Sequence, residues 1–280
     1  MANNLKTVLL LGLLTGIILF IGSFGGRQGL AVALVVSIAM NFASYFFSDK
    51  IALSMYRAQS VSRDEAPEIY RIVEFLCARA GIPVPKVYLI PEESPNAFAT
   101  GRNPQHASIA VTQGALRLLN EDELTGVLAH EISHIRNRDI LISSVAATLA
   151  GMIMWIANMA RYAALFGGGR DGEDRGPGVL GGLLTVILAP IAAMLIQMWI
   201  SRTREYQADS SGAEIAGGPR GLASALQKLD NYARRIPMEA SASTAHMMIM
   251  HPFSGGALMN LFSTHPPTRK RIERLLGHPI

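Results

Sequence analysis

The chain has 280 residues, of which 50% are hydrophobic and only 16% charged, and its mean hydropathy is +0.27. That balance is unusual for a soluble protein and points to the membrane class, with length for one or two domains. The net charge of +4 and pI near 9.4 suit polar parts facing anionic lipid. No basic groove interleaved with aromatic residues appears, so no nucleic-acid partner is expected.

The apolar residues lie in four uncharged runs, Thr7–Phe24, Gly29–Phe47, Ile140–Ala157 and Val179–Ile200. Each is about the 17–25 residues that span a hydrocarbon core as a helix. Four transmembrane helices in two hairpins are therefore expected. A cleaved signal peptide fits the first run poorly, because "IGSFGG" has no A-x-A-like site and a second run follows at once. Lys50, Arg57 and Arg63 follow the second run, Arg136 and Arg138 precede the third, and Arg202 and Arg204 follow the fourth, so those flanks are predicted to be cytoplasmic.

Between the hairpins, "EIYRIVEFLCARAG" (Glu68–Gly81) carries apolar residues at helical spacing and ends in a glycine suited to a C′ position. Cys77 lies within it as the only cysteine, which allows no internal disulfide and reads as a buried thiol in a reducing compartment. "KVYLIP", "NAFATG" and "HASIAVTQG" are short, β-rich and bounded by Pro, Asn and Gly, which predicts a small antiparallel sheet. Asn120 with Glu123 three residues on forms a capping-box pattern that opens the next helix.

That helix carries "AHEISHIRNRD", in which His130 and His134 are four residues apart and share one face, so both imidazoles reach one ion. Glu131 sits beside the ion. This is the H-E-x-x-H arrangement of zinc peptidases, with the glutamate taking a proton from an activated water. The polar "IRNRD" that follows places the motif at a membrane edge rather than within a span.

Two histidines leave a catalytic zinc one protein ligand short. The remaining histidines, His106, His246, His251, His265 and His278, are candidates, as are helical carboxylates. Glu205 in "REYQAD" is preferred, because Asp209 on the same helical face is placed to hydrogen-bond a ligating imidazole. Two apolar runs separate Glu205 from His134, so both lie on one side of the bilayer. The alternative for Glu205 is a surface ion pair with Arg202 or Arg204. A further helix follows "GGP", the Met-rich segment from Pro237 to Pro267 shows no sustained periodicity, and "TRKRIER" near the C-terminus reads as a solvated helix face.

"AHEISHIRNRD", "SRTREYQADSSGAEI", "NAFATG" and "STHPPTRKRI", in this order, resemble the bacterial HtpX branch of integral-membrane zinc metalloproteases, relatives of the CAAX prenyl endopeptidases. The resemblance covers most of the chain. It implies a mainly α membrane protein with a small antiparallel β-sheet and a cytosolic, gluzincin-like protease domain. Residues 1–49 would form one transmembrane hairpin and 140–200 another, with catalytic parts at 50–139 and 201–280. One Zn²⁺ per chain is implied, held by His130, His134 and Glu205, with Glu131 as the catalytic glutamate and Asp209 behind a ligand. His265 and Arg271 match residues near the metal, and Asn96, Ala97, Phe98 and Ala99 match the edge strand beside the cleft. The implied role is stress-responsive quality control in the bacterial cytoplasmic (inner) membrane, with misfolded membrane proteins as substrates, the lipid bilayer as surroundings and other membrane quality-control proteases as partners. Two rivals are a metal transporter, disfavoured because the spans hold no charged pair at mid-depth, and a non-catalytic zinc-stabilised membrane chaperone, which would not need Glu131.

Overall fold

The computed structural model describes residues 2–23, 25–146, 148, 202–233, 249 and 266–278. Helices α1 (Ala2–Ser23) and α2 (Gly26–Phe46) form an N-terminal hairpin, turned by Gly26 at a left-handed φ of 64°. The hairpin is inside out relative to a soluble core. Ala33, Ser37 and Ser44 of α2 are buried while Val32, Val35, Ile38 and Phe42 are exposed, the distribution of a helix whose outer face meets lipid. Asn41 Nδ2 donates to Thr15 Oγ1 at 2.7 Å between the two helices. Among the described residues, α2 alone has the length and hydropathy to cross a bilayer; the apolar part of α1 runs Thr7–Phe20. Residues 140–146 and 148 of the third expected span are helical, and Ile142, Val145 and Ala146 pack with Leu14 of α1. The rest of that span and all of Val179–Ile200 lie outside the described residues.

Helix α3 (Ser48–Met55) leads from the hairpin to a four-stranded sheet of β1 (Gln59–Ser60), β2 (Lys86–Ile90), β3 (Ala97–Gly101) and β4 (Ala107–Thr112). Its order is β1-β2-β4-β3, and it is mixed, not the antiparallel sheet that local turn chemistry predicts: β1 and β3 are antiparallel to their neighbours, but β2 and β4 run parallel. The chain leaving β2 skips one strand position, makes β3 at the far edge and folds back, so β4 fills the gap alongside β2. Alternate side chains serve opposite faces. Ala97, Ala99, Ile109 and Val111 join the main core, whereas Phe98 and Ala110 pack with Ala52 and Leu53 of α3.

The main core is closed by α4 (Pro67–Ala80), α6 (Glu121–Arg136), α7 (Arg202–Ala216), α8 (Arg220–Ala233) and α9 (Thr268–Leu276), with the short α5 (Gln113–Leu118) joining β4 to α6. Helix α4 ends on Gly81 in the left-handed conformation, and Cys77 is buried, its thiol pushed up to about 12 by burial and by nearby Glu74. The Asn120–Glu123 capping box is formed in full at the start of α6. Buried Glu123 also accepts from Ser224 Oγ at 2.6 Å and Lys228 Nζ at 2.7 Å, so one carboxylate both starts α6 and anchors α8. On the opposite flank α7 lies close against α6: Ser133 Oγ donates to the carbonyls of His130 and Ala208, and Gly212 meets the backbone of His130 with no space for a Cβ.

Candidate metal centre

Helix α6 buries most of its length and turns His130 and His134 toward α7, which presents Glu205 from its first turn. The two Nε2 atoms are 3.2 Å apart, and each lies 3.7 Å from one Glu205 carboxylate oxygen. Ligand atoms on a tetrahedral ion with bonds of about 2.0–2.1 Å stand roughly 3.3 Å apart, so this donor set fits a single zinc-sized cation. It is the one His/Cys/Asp/Glu cluster of this kind among the described residues, and all three side chains are largely enclosed.

The surroundings set the charge of each group. Burial holds His130 down to about 4, His134 and Arg271 adding to that effect against Asp209, so its imidazole is neutral at pH 7. Its Nδ1 lies 3.0 Å from Asp209 Oδ1, off the line of a straight hydrogen bond. For His134 burial also opposes the cation, but Asp139, Glu205 and Glu131 outweigh it and lift the imidazole to about 9. Burial raises Glu131 to about 8 with help from Glu205, while His134, the Ala99 amide and Arg271 pull the other way. Burial likewise disfavours the Asp209 carboxylate, yet Arg271 and His130 bring it down to about 2.

Arg271 is the exception to the reading of "TRKRIER" as a solvated face, which the exposed Arg269, Lys270 and Arg274 keep. It is 1% exposed, grips Asp209 through Nε at 2.9 Å and Nη2 at 2.7 Å, and donates Nη1 to the Ile249 carbonyl at 3.1 Å. Burial works against its charge and Asp209 more than compensates, so its pKa stands above the ordinary arginine value. Arg269, on the same helix, is exposed and pairs with Glu273.

Strand β3 forms the sheet edge against α6. Glu131 Oε2 accepts the Ala99 N–H at 2.9 Å, the Ala97 N–H turns back to its neighbour's Asn96 Oδ1, and Gly101 N–H donates to Ser144 Oγ. Ile249 N–H reaches Asn96 Oδ1 at 3.1 Å and the Ala97 carbonyl at 3.3 Å, so part of this edge is taken by the chain itself. The predicted His265, with His246 and His251, lies outside the described residues, and His106 is exposed, away from the cluster. The proposed surface ion pair of Glu205 is not what Arg204 makes: its Nη1 faces Asp139 Oδ1 at 3.9 Å. Sequence reasoning missed Asp139, Ile249 and Ser144; Asp139 had a legible signal, since it closes the "HIRNRD" turn five residues after His134.

With this geometry in view, the profile of Peptidase family M48 matches residues 63–278. The chain belongs to peptidase family M48. A protein named protease HtpX homolog from Desulfatibacillum aliphaticivorans is 56% identical over 99% of this chain and 90% of its own length, and one from Syntrophobacter fumaroxidans is 57% identical over 98% and 99%. The crystal structure of S. mikatae Ste24p is similar in fold, with a TM-score of 0.53 and 20% identity over 94% of this chain and 62% of that one. The chain is a membrane metalloprotease of a zinc-dependent family, and a purely structural chaperone role for the cluster is not favoured.

Proposed function

We propose that the protein is an endopeptidase that cuts misfolded or damaged membrane proteins at the cytoplasmic edge of the bacterial inner membrane, using one zinc ion held by His130, His134 and Glu205. The observation that supports it most is the meeting of these three side chains, from segments separated by two apolar runs, at the spacing a tetrahedral ion needs. An even number of membrane crossings between His134 and Glu205 accounts for that meeting.

Bound there, zinc supplies a Lewis acid that polarises the scissile carbonyl and brings the pKa of water toward about 7. Glu131, buried next to His130 in sequence and resting on the Ala99 N–H, accepts the proton of the attacking water and returns one to the leaving amine. Its carboxyl, raised to about 8 chiefly by burial, would ionise more readily with a metal cation beside it. Asp209 holds the His130 ring, and Arg271 keeps Asp209 charged and in place. An extended substrate runs along Asn96–Ala99 and pairs through its backbone near Ala99, whose N–H is released as Glu131 turns to the water. Backbone pairing reads side chains weakly, which suits unfolded substrates. His265, beside two prolines, is assigned to the developing oxyanion.

The test is hydrolysis of unfolded casein by the purified chain, wild type against Glu131→Gln, with zinc measured in both. The reading expects turnover only in the wild type and one zinc in each. Equal turnover in both, or turnover without metal, refutes it. For His265→Ala, lost turnover with retained zinc supports the oxyanion role and unchanged turnover removes it.

A further inference from the structure

Both imidazoles of the cluster direct Nε2 inward, so each needs its Nδ1 proton fixed on the far side of the ring. Asp209 Oδ1 stands 3.0 Å from His130 Nδ1, on that side of its ring. The His134 ring has its own carboxylate: Asp139 Oδ2 lies 3.5 Å from His134 Nδ1, and Asp139 is 6% exposed.

The turn that delivers Asp139 is unusual. Two residues past the end of α6, Arg138 has φ 58°, a left-handed conformation that glycine adopts far more readily than arginine. Asp139 N–H then donates to the His134 carbonyl at 2.9 Å and Arg138 N–H to that of Ile135 at 3.1 Å, folding the chain back over the last turn. This places a carboxylate at a helix C-terminus, the end where the helix dipole disfavours negative charge. Its position also precedes the helical stretch from residue 140, where Asn would cap as well as Asp. Neither backbone role calls for the charge. What uses it is the polar surroundings of Asp139: the Nδ1 edge of the His134 ring at 3.5 Å and the Arg204 guanidinium, with Nη1 at 3.9 Å.

We propose that Asp139 is a positioning residue for His134: its carboxylate accepts the Nδ1 proton, fixes the tautomer that leaves Nε2 free for the metal, and is itself steadied by Arg204. The two ligating histidines are then backed by separate carboxylates, Asp209 gripped by Arg271 in two places and Asp139 held more loosely by Arg204. This rests on the reading of His134 as a metal ligand.

The experiment uses the purified full chain in detergent, as wild type, Asp139→Asn, Asp139→Ala and His134→Ala. Three readouts are taken: zinc affinity by competition with a chromophoric chelator, the visible spectrum of the Co²⁺-loaded protein, and the melting temperature of the metal-free protein. Asn keeps the shape and the capping ability and removes the charge. Asp139→Asn is expected to weaken zinc binding about tenfold or more, within the roughly 10–100-fold range for partners of metal-ligating histidines, and to shift the Co²⁺ bands while the metal-free melting temperature stays at the wild-type value. Asp139→Ala should weaken binding further. Wild-type zinc affinity and Co²⁺ spectrum in Asp139→Asn overturn the proposal, as does a loss of affinity that only follows a fall in metal-free melting temperature. If His134→Ala retains wild-type zinc affinity, the ligand reading fails and the inference falls with it; if His134→Ala loses zinc and Asp139→Asn does not, only the inference falls.

Discussion

Gly212→Ala tests how closely the metal centre depends on the α6–α7 contact. A methyl at Gly212 would stand 2.9 Å from His130 N, 3.0 Å from its Cα and 3.2 Å from the Ala129 carbonyl carbon, all backbone atoms that cannot swing aside. Relief requires α7 to move outward by roughly 0.5 Å or more, since ordinary carbon contacts begin near about 3.5 Å. Glu205 and Asp209 lie on the same helix and move with it, whereas metal sites tolerate only about ±0.2 Å in ligand distances. Overpacking costs about 1–3 kcal/mol, and replacing a helical glycine by alanine returns about 1 kcal/mol. The net loss of metal-free stability should therefore be small, while the strain concentrates where α7 must approach α6 to close the site. A fall in zinc affinity of about tenfold, equivalent to 1.4 kcal/mol, is expected in chelator competition. Gly218→Ala, which meets nothing within 4 Å, serves as control. Wild-type zinc affinity in Gly212→Ala would refute the claim that this contact sets the ligand geometry.

Zinc binding should release protons. His134 at about 9 is cationic at pH 7 and must lose its proton to bind, whereas His130 at about 4 is already neutral. Apparent affinity should rise up to about tenfold per pH unit below pH 9 and level off above it; calorimetry in buffers of different protonation enthalpy should find at least one proton released per ion at pH 7, and none would contradict the assignment. Arg271→Lys keeps the charge but loses the two-point grip on Asp209, and should weaken zinc binding and lower stability by less than the about 3–5 kcal/mol that losing the whole partner costs; a variant that melts and binds zinc like the wild type would show that the grip is dispensable.

Features written in local physics were legible. The Asn120–Glu123 box and the glycine closing α4 each state their structure within a few residues, and the uncharged run of α2 states its helix by length and composition. Glu205 was legible because Asp209 follows at helical spacing, and the structure brings that pair to the two histidines. The parallel pairing of β2 with β4 was not, because it depends on which strand slot the chain skips rather than on any turn residue. Only the family resemblance singled out Arg271; the basic helix by its own pattern reads as solvated, and the tertiary approach of Asp209 explains the burial. Asp139 closes a turn five residues after His134, but the left-handed residue before it is Arg138 rather than the glycine that normally marks such a turn, so the signal was easy to pass over. Ile249 lies in a stretch without periodicity, so its pairing with the sheet edge had no local signal.

The most direct test of the metal centre is X-ray absorption at the zinc edge on the purified full chain, with metal content measured in the same sample. Binding by His130, His134 and Glu205 predicts one zinc per chain, surrounded by nitrogen and oxygen at about 2.0–2.1 Å with two imidazoles, and loss of that signal in Glu205→Ala. A sulfur neighbour at about 2.3 Å, or an unchanged spectrum in Glu205→Ala, would contradict it.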